Sequence, residues 1–254
     1  MSAILLDGKI VHYEVLGRGR PIIFVHGWVG SWRYWVPAMQ IAAKSFRAYA
    51  IDLWGFGETA RDPSSYSIAR QTTLLASFIQ KMGIGKVTLI GHGLGALTAL
   101  LFTQKFPDGV DRLMVANIPL DINFVAMRLR IPASPTSLAA WLLRKEPAME
   151  PARIDATKTD PLAITSSLKS LEIMNFMPFM DTMPIPCLIV HGQDDPAVKT
   201  PDHKRVLAMT DQVDQIVMDN CGHFPMLDEG LRFNSLMMNF LALVSGASPR
   251  DMRL

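Results

Sequence analysis

Short apolar runs alternate along the chain with longer stretches in which apolar residues recur every three or four positions. Ile22-Ile23-Phe24-Val25 and Val87-Thr88-Leu89-Ile90 are almost continuously apolar, the pattern of strands buried on both faces and hence of a largely parallel sheet. The periodicity predicts strands over 9–15, 21–25, 46–51, 86–90, 112–116, 187–190 and 215–218. It predicts helices over 31–44, 68–82, 94–106 and 229–244, with Pro107 ending the third. Strands that alternate with helices in this way give an α/β fold with a mostly parallel central sheet flanked by helices. Between Leu120 and Met183 the rhythm breaks. That stretch holds six prolines, six methionines and the aromatics Phe124, Trp141, Phe176 and Phe179. We expect it to form a helical cap, residues 120–183, inserted into a core made of residues 1–119 and 184–254.

Composition narrows the function classes. The chain has 254 residues, with 25 Lys+Arg against 23 Asp+Glu, a formal net charge of +2. Charged residues make up 19% and apolar residues 49% of it, with both signs scattered. This excludes a disordered tail protein and a basic nucleic-acid surface, and points to a folded protein with a small-molecule partner. No stretch reaches the ~18 consecutive apolar residues of a membrane span. The opening Met1-Ser2-Ala3-Ile4-Leu5-Leu6-Asp7-Gly8-Lys9 lacks the charged start, apolar run and small-residue cleavage site of a secretory leader, so a cytoplasmic location is expected. Two cysteines, Cys187 and Cys221, make no disulfide framework and read as buried thiols.

The chemistry-bearing motifs fall where predicted strands end, the edge at which open α/β sheets bind ligands. They are His26-Gly27-Trp28, Asp52-Leu53-Trp54-Gly55-Phe56-Gly57, Gly91-His92-Gly93-Leu94-Gly95, His191-Gly192-Gln193-Asp194-Asp195 and Cys221-Gly222-His223-Phe224-Pro225. Taken together and in this order, they resemble the α/β-hydrolase superfamily of esterases, lactonases and C–C hydrolases over nearly the whole chain. The resemblance implies a nucleophile position at 93, an acid at Asp195, a general base at His223, and an oxyanion hole from the backbone N–H groups of Trp28 and Leu94. Counting from Gly192 selects Asp195 over Asp194, which reads as a solvated loop carboxylate. His26 and His92 read as packing or hydrogen-bonding residues and Ser31 as a helix N-cap. Cys221, two residues from His223, is set aside as a displaced nucleophile because close neighbours on a loop point differently.

The departure from the family lies at its centre. The elbow pattern is Gly-x-nucleophile-x-Gly, and the middle residue here is Gly93, which has no side chain with which to form a covalent intermediate. Glycine there fits a substitution made in an active serine hydrolase, a natural loss that leaves a small-ligand receptor, or a site where the His223–Asp195 dyad activates water directly. It also suits the positive φ of such elbows, which cost other residues roughly 1–2 kcal/mol. Trp141, Phe176 and Phe179, with the methionines around them, suggest an apolar, adaptable pocket for a small acyl-type ligand. No zinc-ligand spacing and no phosphate-binding glycine loop is present, so neither metal nor cofactor is expected.

Overall fold

A computed structural model describes residues 2–244 and 246–252. Eight strands form one sheet in the order β1-β2-β4-β3-β5-β6-β7-β8. The strands are β1 Ser2–Leu6, β2 Lys9–Gly17, β3 Arg20–Val25, β4 Phe46–Ile51, β5 Val87–His92, β6 Val110–Ala116, β7 Cys187–Gly192 and β8 Val213–Met218. β2 runs antiparallel to β1 and β4, and every other pairing is parallel. The all-buried β5 and β7 are covered on both faces, which is why they read as unbroken apolar runs.

The helices are α1 Val36–Ala42, α2 Ile68–Lys81, α3 Leu94–Lys105, α4 Met127–Arg130, α5 Pro135–Leu142, α6 Glu150–Ala156, α7 Pro161–Leu171, α8 Met177–Asp181, α9 His203–Leu207, α10 Pro225–Asp228 and α11 Gly230–Ala242. α2 packs on α3, and α1 on α11. Helix α3 is buried from Leu94 through Thr103, because it lies against β3, β5 and β6 and under α2. Five of the helices, α4 to α8, lie between β6 and β7, the stretch where the sequence rhythm breaks. No described helix is long and apolar enough to cross a membrane.

Two features differ from the sequence reading. The stretch 31–44 is not one helix: a 3-10 turn, Trp32–Trp35, precedes α1. Pro37 occupies the first turn of α1, where its missing N–H is tolerated, whereas deeper in a helix that begins at Ser31 it would break the ladder. Strand β1 was not anticipated. It pairs with β2 through Asp7-Gly8, both at positive φ (50° and 74°), the backbone that a two-residue hairpin turn requires. Asp-Gly between apolar runs was the signal for it.

Candidate active site

The loops that leave the carboxyl ends of β3, β4, β5, β6, β7 and β8 gather at one edge of the sheet. β5 turns into α3 through Gly93, at φ 51° and ψ −112°. A Cβ on Gly95 would lie 2.2 Å from the Val25 carbonyl oxygen, and one on Gly91 2.6 Å from Ala96 Cα. Both glycines are therefore needed for α3 to seat against β3 and for the elbow to turn. Gly93 is different. A Cβ there would lie 3.2 Å from Cε3 and Cζ3 of Trp28, a contact that closes if the ring yields slightly. The indole is fully buried, and its Nε1–H donates to Ser167 Oγ on α7 at 2.9 Å.

His223 and Asp195 are buried together. The ring Nδ1 lies 2.9 Å from Oδ2 and 3.1 Å from Oδ1 of Asp195. Asp195 also accepts from Asn117 Nδ2 at 2.5 Å and from the Ala197 N–H at 2.8 Å. Burial alone would raise the Asp195 carboxyl, but the imidazole, the amide and the Ala197 N–H outweigh it and hold the group at about 2. Against an ionised acceptor Nδ1 carries the hydrogen, which leaves Nε2 its lone pair. Asp194 points elsewhere: its side chain is 62% exposed and 4.0 Å from Arg144 Nη2. Asn117 was not singled out from the sequence. It follows β6 at φ 47°, a conformation that Asn tolerates better than most residues, yet nothing local marks it as a partner of residues 78 and 105 positions away.

Trp28, whose ring lies against Gly93, and Leu94, which follows Gly93, are both fully buried. Neither backbone N–H has an acceptor among the described residues. Unpaired buried N–H groups are rare in folded proteins, and the start of α3 adds its positive dipole end beside Leu94. The remaining sequence candidates fall as follows. Ser31 caps the 3-10 turn, accepting from the Arg33 N–H at 3.2 Å, and donates to Asp155 on α6. The Cys221 thiol is pushed up to about 12, first by burial and then by Asp228 and Glu229, so it is no ready nucleophile. Phe176 is buried, while Phe179 and Trp141 are half-buried against the core. The Arg128 guanidinium lies 4.6 Å over the Trp141 ring.

A sequence profile described as the Alpha/beta hydrolase family matches residues 22–236, a span that contains every loop of this edge. The chain belongs to that family. Among its relatives, the 2-hydroxy-6-oxo-6-(2'-aminophenyl)hexa-2,4-dienoic acid hydrolase of Metapseudomonas resinovorans is 27% identical, covering 92% of this chain and 88% of its own. Two solved structures share the fold. A thermophilic esterase from Thermogutta terrifontis superposes with a TM-score of 0.81 at 21% identity, covering 95% of this chain and 98% of its own. A serine-to-glycine variant of the N-acyl homoserine lactonase AidH, complexed with N-hexanoyl homoserine lactone, gives 0.82 at 20% identity over 94% and 95%.

Proposed function

We propose that this alpha/beta hydrolase is built to hydrolyse a carboxylic ester, lactone or similar acyl bond of a small apolar substrate, and that Gly93 stands at the nucleophile position. The observation that carries the reading is the buried His223–Asp195 pair on the sheet edge where β5 turns into α3 at Gly93, with the Trp28 and Leu94 N–H groups lacking an acceptor among the described residues. A carbonyl oxygen at those two donors gains negative charge as its carbon is attacked, and each donor in such a hole is worth about 3 kcal/mol in the transition state. His223 takes the proton of the attacking oxygen on Nε2, and Asp195 steadies the imidazolium that results. With a serine at 93 that oxygen is the side chain. With glycine the covalent step is absent, and His223 acts on water alone at a small fraction of the rate. The helices of residues 120–183 serve as a cap, with Trp141, Phe176 and Phe179 supplying apolar wall.

A second reading, a non-catalytic module that holds the same ligand, is favoured by the Trp28 ring, which lies against Gly93 and leaves little slack for a side chain. A serine-to-glycine variant of the lactonase is complexed with a lactone, so a protein of this fold binds such a ligand with glycine in place of a serine. Gly93→Ser, assayed on short, long and cyclic esters, separates the two. The hydrolase reading expects turnover to rise by orders of magnitude, while stability falls by about 1–2 kcal/mol for a Cβ at positive φ. An intact fold without turnover would leave the binding module. Turnover by the unaltered chain that disappears in His223→Ala would mark the water route.

A further inference from the structure

Two buried histidines flank the site without joining it, His26 and His92, and their hydrogen bonds fix opposite tautomers. The His26 Nδ1 lies 2.8 Å from the Gly27 carbonyl oxygen, and its Nε2 is 3.0 Å from the Leu53 N–H. A carbonyl only accepts and an N–H only donates, so His26 carries its hydrogen on Nδ1. His92 is the reverse. Its Nε2 lies 2.8 Å from the His223 carbonyl oxygen and therefore bears the hydrogen, while its Nδ1 is 2.9 Å from Tyr34 Oη. The Gly27 N–H donates to that same Tyr34 oxygen at 2.7 Å, so the tyrosine hydrogen must go to His92 Nδ1.

The consequence is geometric. The carbonyl gripped by His26 belongs to the peptide unit that carries the Trp28 N–H, and in a trans peptide the two point in opposite directions. Holding the oxygen aims the hydrogen. At the other end, His92 holds the main chain of His223 itself, and Tyr34 joins the two halves. The glycines of the same loop make room for the arrangement: a Cβ on Gly27 would lie 2.8 Å from His92 Nδ1, and one on Gly30 2.8 Å from Tyr34 Cδ1. Burial also pushes His92 well below and His26 below the ordinary histidine value, which keeps both rings neutral and each with one donor and one acceptor.

We propose that His26 and His92 are positioning residues, locked in opposite tautomers, that aim the Trp28 N–H and hold His223 in register through Tyr34. This rests on the roles given above to Trp28 and His223. The tautomers dictate which amide can replace each ring. The nitrogen of Asn reaches the place of Nδ1 and that of Gln the place of Nε2, so in the Gly93→Ser background His26→Asn and His92→Gln should keep kcat within about threefold. The swapped replacements, His26→Gln and His92→Asn, should lower kcat by about 10–100-fold with KM within about twofold, because the lost alignment is felt in the transition state. A merely structural role would make both amides equal at each position, or put the loss in KM, and would overturn the proposal. The unaltered chain offers a test that needs no turnover. Nitrogen-15 NMR of its histidines should show His26 protonated on Nδ1 and His92 on Nε2, and Tyr34→Phe should move the Gly27 and Trp28 amide signals and those of the His223 ring. The same tautomer at both histidines, or unmoved signals, would sink the inference even if Gly93→Ser proves active. Correct tautomers and moved signals in a chain whose Gly93→Ser variant stays inactive would uphold the positioning and fault only the hydrolase reading.

Discussion

At the scale of single residues, neighbouring carboxylates have opposite environments. Asp195 is buried and faces the ring of His223, while Asp194 projects into solvent near Arg144. In the Gly93→Ser background, Asp195→Asn should reduce kcat by about 10³–10⁴-fold, since the amide no longer fixes the tautomer of His223. Asp194→Asn should leave kcat within about twofold, as expected for an exposed charge whose side chain faces Arg144 rather than the ring. Ester hydrolysis by the purified pair checks both, and equal losses would show that the loop rather than the carboxylate matters. The count from Gly192 was enough to favour Asp195. Asn117 was invisible because its role depends on a hydrogen bond that spans two strands.

At the scale of elements, the strands that were easiest to read are those buried on both faces, and most of the helices read from the sequence, though not α3, which is buried on all sides, carry one apolar stripe. Helix α2 is one such case, capped by Ser67, whose side chain accepts from the Arg70 N–H at 3.3 Å. Helix α11 ends in a less legible way. Arg112, on β6 and 1% exposed, gives Nη1 to the carbonyl oxygens of Phe240, Leu241 and Leu243 at 2.7, 3.3 and 3.1 Å. A guanidinium thus satisfies carbonyls that a helix end leaves open. Arg112→Met should destabilise the protein by about 3 kcal/mol, because buried acceptors lose a charged donor. Urea unfolding measures it, and a loss below about 1 kcal/mol would mean that water takes over the carbonyls.

At the scale of the whole molecule, pH acts through histidines of opposite sign. His92 and His26 are held below the ordinary histidine value, and burial takes His191 down to about 4. These three stay neutral in the fold while the unfolded chain takes up protons, so stability falls as pH drops below the ordinary value of 6.5. Asp195, at about 2, adds a further loss below its ordinary 3.8. His12 works the other way. Burial lowers it, but Asp52, 3.0 Å from its Nδ1, and Glu14 raise it on balance. Its contribution is complete below 6.5 and disappears as pH rises through its higher folded value. Urea unfolding across pH 5–9 should therefore show a maximum near neutrality, with the alkaline limb flattened in His12→Asn. An unchanged alkaline limb would remove His12 as its source.

The amino-acid sequence by itself determined the α/β class, most of the strands, the break at 120–183 and the family motifs, because these depend on local periodicity and on glycines required by tight turns. Only the tertiary structure decided the place of Asn117, the contact of Trp28 with Gly93 and the opposite tautomers of His26 and His92. Each of these depends on groups brought together from distant parts of the chain. A hydrogen bond or close contact across such a separation leaves no trace in the pattern of its neighbours, and only packing the strands side by side brings its two ends into reach.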